Sequence, residues 1–510
     1  MSTNVSDASP NGPQPISKAG CYLILVFAFL GWAFAGVHMS LNGIVMRVAA
    51  ADLLGPQFAE QGIADSSDAG TPVETSLLES FDDDQNGGLD QRERARAREA
   101  SLSQWFGWLT CAFLLGAAAG GYLFGVVGDR IGRAKAMAAS IFCYSLFSAA
   151  TYFVQSPTQL LILRFATCMG IGGMWPNGIA LLSEAWPNIS RPFLAGAIGT
   201  AANVGILCFA LFTVVQEVDQ DDWRWTFLVG ASPIILGMLS LLLVPESPRW
   251  LALRRGSDVV GDSPKRAGLG EVFRPPILKA TVLGILLGTI PLFGGWGVSN
   301  WATAWASEFG DTAKAKQSDD TQTKDTQSSK ARQDRKPDPV LKSMTVVARA
   351  LPGSISSLLG GALAFWLGRK RSYFLLSLCA LICTQFLFRV ENPVDSGVLL
   401  TISMLGRNLD ITVFLAWTAA LGFFSGFFFG WLPLCLPELF PTRVRSTGAG
   451  VSFNWGRILT AIGVLATAAV LKQSLQGQYD VVGRYTGFIY ALGMVVILLV
   501  PDMSEKELED

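Results

Sequence analysis

The chain has 510 residues, of which 50% are hydrophobic and only 15% are charged, whereas soluble domains average about 25% charged residues. This composition argues against an ordinary soluble enzyme and indicates a protein whose main partner is the lipid bilayer. The formal net charge of −1 argues against a nucleic-acid partner, which would need a clustered basic surface.

Twelve stretches of the sequence are long and apolar enough to cross a bilayer. A spanning helix needs about 20 mostly apolar residues, because hydrocarbon leaves no partner for an open backbone group. We therefore predict an all-α membrane protein with twelve transmembrane helices in two pseudo-symmetric six-helix bundles, 20–244 and 277–500. The predicted spans are 20–46, 103–127, 136–154, 159–183, 193–215, 225–244, 277–305, 344–367, 373–390, 412–436, 446–471 and 484–500.

Short loops between the spans indicate the orientation of the chain. The loops around Arg133 and Arg369 are basic, whereas residues 155–158 and 216–224 together contain one Arg and four acids. Because basic loops stay in the cytoplasm, we expect a multi-pass cell-membrane protein with both termini cytoplasmic. The remaining predicted segments are a tail at 1–19, an external loop at 50–100, a cytoplasmic linker at 245–276, a disordered external loop at 310–343 and a tail at 501–510.

The two halves of the sequence repeat each other. A Glu, a Pro three residues on, an Arg seven on and a Gly twelve on recur at an offset of 254. The segment GVVGDRIGRAK, from Gly125, likewise matches GALAFWLGRKR, from Gly361. Repeats of this kind are typical of transporters whose halves rock about a central site.

These motifs, with RFATCMGIGG from Arg164, PESPRW from Pro245 and PELFPTRVRSTG from Pro437, resemble the major facilitator superfamily, in its sugar-porter and metabolite:proton symporter branches. The resemblance covers nearly the whole chain. It implies alternating access through a central cavity, with charge clusters that latch the cytoplasmic gate. The candidate gating residues are Asp129, Arg130, Arg133, Glu184, Arg191, Glu246, Arg249, Glu438 and Arg445. Pairing is expected for Asp129 with Arg133, Glu184 with Arg191, and Glu438 with Arg445; the alternative is incidental surface pairs worth less than about 1 kcal/mol each.

The sequence departs from these branches where coupling carboxylates would stand. Ala35 and His38 occupy the expected region of the first span, and Met174 follows Gly173 in the fourth. None of the twelve spans contains Asp or Glu away from its ends. His38 is the only histidine and has an ordinary pKa near neutrality, so it is a candidate for a coupling proton; the alternative is a pore-lining hydrogen-bonding residue.

Arg457 lies twelve residues into the eleventh span, and the offset of 254 pairs it with Asn203. An ionisable residue at this depth is a candidate functional residue, and a guanidinium suits a carboxylate solute. The alternative is a structural Arg satisfied by carbonyls or by Asn454. Arg164 and Arg349 lie near span ends, where their side chains are able to snorkel. The full set of candidate solute-binding residues is His38, Asn42, Asn177, Asn203, Trp296, Asn300, Trp301, Asn454 and Arg457.

The external loop contains DDDQNGGLDQRE, which matches the twelve-residue calcium loop of an EF-hand, inside a segment at 73–100. The predicted calcium ligands are Asp82, Asp84, Asn86, Gly88, Asp90 and Glu93. The alternative is an acidic solvated turn. Because the predicted exit helix continues into the second span, calcium would have a structural or regulatory role there.

Together these patterns predict a monomeric secondary transporter of a small organic solute, either an organic anion or a sugar. The alternative is a calcium-responsive membrane sensor that keeps a transporter fold and transports nothing. An enzyme is not expected, since the sequence contains no Ser-His-Asp set, phosphate-binding loop or metal-binding His cluster.

Overall fold

The structure is a computed structural model. It describes residues 16–64, 71–82, 85–186, 191–248, 250–251, 269–307, 340–394, 396–404, 407–441, 444–473 and 478–501. Most of the two predicted tails, of the linker at 245–276 and of the loop at 310–343 lies outside these residues.

The described residues are mostly helical, and all twelve predicted spans fall on helices. In the first half the helices are α1 Lys18–Ile44, α2 Met46–Glu60, α3 Thr75–Phe81, α4 Gln91–Ile131, α5 Arg133–Thr151, α6 Pro157–Ala185, α7 Arg191–Val215 and α8 Trp225–Leu243, which is interrupted between Ala231 and Ile234. In the second half they are α9 Leu278–Ser307, α10 Leu341–Leu367, α11 Arg369–Leu387, α12 Val413–Glu438, α13 Arg445–Gln473 and α14 Tyr479–Leu499, which is interrupted between Thr486 and Ile489.

Eight of the described helices are long and apolar enough to cross a membrane, so the chain is a multi-pass membrane protein. They are α1, α4, α8, α9, α10, α12, α13 and α14.

Local chemistry explains several helix ends. The side chain of Ser17 accepts from Gly20 N at the start of α1, and Ser156 caps α6 ahead of Pro157. Gly132, with φ of 110°, separates α4 from α5, and Gly368, with φ of 81°, separates α10 from α11. These positive φ values favour glycine, and the two glycines stand at equivalent positions of the internal repeat.

Helices of each half pack mainly on one another: α4 and α5 on α6, α1 on α7, α10 and α11 on α12, and α9 on α13. The halves meet mainly along two helix pairs, α4 with α13 and α7 with α10. Small residues permit close approach. A Cβ on Gly120 would clash with the carbonyl of Met169, and one on Gly172 would clash with that of Ala117, so α4 and α6 touch backbone to backbone.

Two features differ from the sequence prediction. The chain is mostly helical as predicted but not all-α, because β1 Val398–Met404 and β2 Arg407–Thr412 form an antiparallel hairpin between α11 and α12. Its strands are short and carry β-branched side chains, and a search for helix-length apolar stretches does not detect such elements. The predicted loop at 50–100 is also largely helical, since α2 extends to Glu60 and α4 already begins at Gln91.

Below, the end of the helix bundle that carries Arg133 and Arg369 is called the basic end, and the end that carries Glu99 and Tyr479 the opposite end.

Candidate functional site

Arg457 extends from the second half of the chain to the first. Its side chain on α13 is 8% exposed, and Nη1 donates to the carbonyl oxygen of Ala117 on α4 at 3.2 Å and to Asn454 Oδ1 at 3.4 Å. The guanidinium carbon lies 4.8 Å from the centre of the Phe453 ring. Both acceptors are neutral, so the charge of Arg457 is solvated by dipoles and by an aromatic face without being neutralised.

Arg164 on α6 does not snorkel, contrary to the sequence expectation. Its side chain is 2% exposed, and Nη2 donates to the carbonyl oxygen of His38 on α1 at 2.9 Å. Nε and Nη1 have no hydrogen-bond partner among the described residues. The guanidinium carbon lies 5.5 Å from the centre of the Phe113 ring on α4. A buried guanidinium with two unused nitrogens is costly unless a ligand supplies acceptors.

Arg349 on α10 is half-buried and also faces inward. Its Nη1 lies 3.4 Å from the carbonyl oxygen of Gly295 and 3.5 Å from Asn300 Oδ1, both on α9. Gly295 belongs to a π-helical turn, Gly294–Val298, and such turns are frequent at functional sites. The next residue, Trp296, places its ring 4.2 Å from the ring of Phe113, centre to centre, across the two halves.

Each of the three arginines therefore contacts α4 or α9 at the aromatic pair or within one turn of it. Arg164 lies over Phe113, Arg349 contacts the residue before Trp296, and Arg457 bonds α4 one turn beyond Phe113. Among the described residues, no carboxylate lies within 4.0 Å of these three side chains. An uncompensated buried charge costs several kcal/mol, so this arrangement favours an anion.

His38 is fully buried. Its Nε2 lies 3.0 Å from the carbonyl oxygen of Gly230 on α8, and its ring meets Tyr144 edge to face at 5.2 Å. Because a carbonyl only accepts, Nε2 donates, and the neutral ring carries its lone pair on Nδ1. Nδ1 has no partner among the described residues.

Among the other predicted solute-binding residues, Trp296 is one ring of the aromatic pair, and Asn300 and Asn454 lie against Arg349 and Arg457. Asn203 is half-buried on α7.

Asn42, Asn177 and Trp301 instead hold helices together. Asn42 Nδ2 donates to Thr110 Oγ1 at 2.9 Å, and Asn177 Nδ2 donates to the carbonyl oxygens of Phe124 at 3.0 Å and Gly173 at 2.9 Å. Trp301 is buried between the rings of Phe106 and Tyr479.

At the basic end, Arg133 lies among three acidic residues, Asp129 and Glu184 of the first half and Glu246 of the linker. Its side chain lies 3.9 Å from Glu184 and 4.0 Å from Asp129. The sequence predicts the pairing with Asp129 but not the one with Glu184. Glu246 accepts from the backbone N–H of Arg133 at 2.7 Å and caps the start of α5. Arg130 is exposed. Arg249 and the side chain of Arg191 lie outside the described residues, so the structure does not test the predicted pair of Glu184 with Arg191.

In the second half, the predicted pairing of Glu438 with Arg445 is wrong. Glu438 accepts two hydrogen bonds from Arg369, at 3.2 and 3.3 Å, while Arg445 Nε lies 3.5 Å from the carbonyl oxygen of Phe440. The reason is helix packing, since Arg369 begins α11, which packs against α12, the helix that Glu438 ends. The repeat contained this signal, because Arg369 is the equivalent of Arg133, which pairs with Glu184.

At the opposite end lies a largely buried ion pair that the sequence did not predict. Arg47 Nη2 on α2 lies 2.5 Å from Glu99 Oε2 on α4, and Arg47 Nη1 donates to Ser307 Oγ on α9 at 3.3 Å. Thr213 of α7 also donates to Ser343 of α10 at 2.9 Å. Polar contacts therefore join the two halves at this end.

The predicted calcium loop lies between α3 and α4, in a helix–loop–helix arrangement. The carboxylate of Asp82 accepts from Asn86 N at 3.2 Å and from Gly87 N at 2.9 Å. Asp90 caps α4 by accepting from Glu93 N at 2.7 Å, and Glu93 accepts from Asp90 N at 2.8 Å.

Gly87 has φ of 83°, as the sharp turn requires, and Phe81 and Leu89 are buried on either side of the loop. Asp84 lies outside the described residues, and Gly88 is half-buried. In the part of the chain that the structure describes, no three His, Cys, Asp or Glu residues lie close enough together to hold a metal ion.

Comparison with known proteins fits this architecture. The chain is 26% identical to the "Probable 4-methylmuconolactone transporter" of Cupriavidus pinatubonensis, over 79% of this chain and 83% of that protein. It is 25% identical to the "Cis,cis-muconate transport protein" of Acinetobacter baylyi, over 70% of this chain and 76% of that protein. A crystal structure of a D-xylose-proton symporter shares the fold with a TM-score of 0.60, at 18% identity, covering 95% of this chain and 99% of that one.

A sequence model of the Major Facilitator Superfamily matches residues 77–464, more than half of the chain. The chain therefore belongs to the Major Facilitator Superfamily, and it is a transporter of solutes and not an enzyme.

Proposed function

We propose that this transporter moves small organic anions, with a carboxylate as the recognised group, by alternating access. The observation that carries the proposal is the set of three inward-facing guanidinium groups, Arg164, Arg349 and Arg457, with no carboxylate beside them in the described structure.

Charge distinguishes an anion from a sugar as the solute. A sugar offers hydroxyls but no negative charge, so the two buried cations Arg164 and Arg457 and the half-buried Arg349 would remain uncompensated in its presence. A carboxylate accepts two parallel hydrogen bonds from a guanidinium and removes one of these charges. The names of the two relatives, a muconate transport protein and a methylmuconolactone transporter, point to solutes of the same kind.

The aromatic pair narrows the class of expected solutes further. Phe113 and Trp296 present flat faces at 4.2 Å and 36°, and they come from α4 of the first half and α9 of the second. A planar unsaturated skeleton stacks on such a surface, while the arginines bind its carboxylate. The preferred solutes are thus unsaturated or ring-bearing acids.

The carrier works as a monomer of twelve spans in two six-helix bundles, with the basic end and both termini in the cytoplasm. Support comes from the equivalent ion pairs Arg133–Glu184 and Arg369–Glu438, which belong to the same repeated motif in the two halves. Contacts between the halves at the opposite end, such as Arg47 with Ser307, fit a conformation closed toward the outside.

Calcium binds the external loop and fixes the start of α4. Asp82, Asn86, Asp90 and Glu93 supply the oxygen ligands that calcium prefers, with the carbonyl of Gly88 and with Asp84. Glu93 stands in the first turn of α4, so a bound ion would hold the helix that continues to the aromatic pair. Proton coupling through His38 is part of the same proposal.

Uptake into proteoliposomes tests the proposed function. Radiolabelled benzoate, hexa-2,4-dienoate and xylose are compared at two pH values, with empty liposomes as the control. We expect saturable uptake of the acids only. Uptake of xylose that is indifferent to Arg457→Ala would overturn the choice of an anion, and uptake of no solute together with a calcium response would favour the sensor.

A further inference from the structure

The two most deeply buried arginines of the site come from opposite halves of the transporter. Arg164 belongs to α6 and Arg457 to α13, and they are 2% and 8% exposed. Arg164 uses one of its nitrogens on the carbonyl of His38, and its Nε and Nη1 have no partner in the described structure. Arg457 uses Nη1 on two neutral acceptors. Neither positive charge is cancelled.

Helix α4 sets the spacing of these two charges. Arg164 lies over the ring of Phe113, and Arg457 bonds the carbonyl of Ala117. These two α4 residues share a face and lie one turn apart, about 6 Å along the helix axis. The two guanidinium groups therefore face α4 at successive turns, Arg164 over the Phe113 ring and Arg457 at the Ala117 carbonyl, with the ring of Trp296 against Phe113.

A solute with one carboxylate would neutralise only one of the two charges. The second would stay buried beside the first, in surroundings of low dielectric constant where like charges repel strongly. Arg349 differs from the pair, because it is only half-buried and its two acceptors both lie on α9.

The geometry points to a dianionic solute: a short planar diacid whose first carboxylate binds Arg164 and whose second binds Arg457, with its unsaturated skeleton against Phe113 and Trp296. This inference rests on the proposed function and specifies its substrate class. Because one arginine belongs to each half, such a diacid bridges the halves, whereas a monoacid binds one half only.

Matched acids that differ by one carboxylate test the inference. Binding to the purified protein in detergent is measured by competition for benzoate against terephthalate, and for hexa-2,4-dienoate against hexa-2,4-dienedioate. We expect each diacid to bind about tenfold or more tightly than its monoacid, and Arg164→Gln or Arg457→Gln to reduce the ratio to about one. Two skeletons are used so that one badly fitting ring does not decide the result.

Controls separate charge from folding. Arg389→Gln removes an exposed arginine just after the end of α11 and should keep the diacid preference. Arg164→Lys retains the charge and should restore part of the preference that Arg164→Gln loses, which a purely structural role would not do. Thermal unfolding of each variant is measured alongside.

Equal binding of monoacid and diacid by the unaltered protein would overturn the inference and leave the proposed function in place. A preference for the diacid that survives in both Arg164→Gln and Arg457→Gln would also overturn the inference and leave the proposed function in place. Binding of xylose and of none of the acids would overturn the proposed function itself.

Discussion

The hydroxyl of Tyr479 donates a 2.6 Å hydrogen bond to Glu99 Oε1, and Arg47 holds the other oxygen of the same carboxylate at 2.5 Å. Glu99 belongs to α4 of the first half and Tyr479 to α14 of the second. The ring of Tyr479 also packs against Trp301 of α9. One largely buried carboxylate thus connects the two halves at the end opposite the basic loops.

We predict that Tyr479→Phe weakens closure at this end. The substitution removes the hydroxyl and keeps the ring, so it deletes one hydrogen bond to a charged group, worth about 1.5–3 kcal/mol. In the Tyr479→Phe variant, hydrogen–deuterium exchange of residues 479–486 should be faster than in the unaltered protein by about tenfold or more. Tyr485→Phe is the matched control, since Tyr485 is 71% exposed on the same helix. Equal exchange in the two variants would show that the bond does not hold the halves together.

Swapping the charges of Glu438 and Arg369 should distinguish the observed partner of Glu438, Arg369, from the predicted partner, Arg445. We predict that Glu438→Arg alone slows transport several-fold, because Arg369 loses its acceptor and gains a like charge. The double variant Arg369→Glu with Glu438→Arg should recover most of the rate. Arg445→Gln should change the rate less than twofold, since Arg445 lies near a backbone carbonyl. Initial uptake rates in proteoliposomes measure all three.

Hydropathy predicted the helical segments well because every spanning helix must satisfy its own backbone. It could not predict how each helix is rotated. In a membrane both faces of a helix are apolar, so the sequence around Arg164 gave no sign that this side chain points toward His38 and not toward the lipid surface. The partner of Glu438 is hidden for a similar reason: Arg445 is its neighbour in the sequence, whereas Arg369 lies 69 residues away on an adjacent helix. The repeat contained that information, but only helix packing makes it visible.

We predict that His38→Gln abolishes the stimulation of uptake by a pH gradient and leaves solute exchange intact. The imidazole is the only one in the chain, and its Nδ1 has no hydrogen-bond partner among the described residues while Nε2 donates to the carbonyl of Gly230. Glutamine can still donate to that carbonyl but cannot titrate near neutral pH. Uptake and counterflow are measured in the same proteoliposomes. A pH dependence that survives the substitution would leave His38 as a hydrogen-bonding residue only.

The last prediction concerns the loop before α4. Calorimetric titration of the purified protein with calcium should give one site with a dissociation constant of about 10⁻⁴–10⁻³ M, as for extracellular modules. Glu93→Gln should weaken binding by about tenfold or more, because it removes the charged ligand at the twelfth position. Glutamine at this position can still complete the capping box with Asp90, so α4 should still begin at Gln91.

Glu79→Gln is the matched control for charge, since Glu79 is exposed on α3, outside the loop. If both variants bind calcium as the unaltered protein does, or if the unaltered protein gives no heat, the loop is an acidic turn. If only Glu93→Gln is impaired, a difference in its uptake rate at millimolar calcium would show that the ion acts on transport through α4, the helix that contains both Glu99 and Phe113.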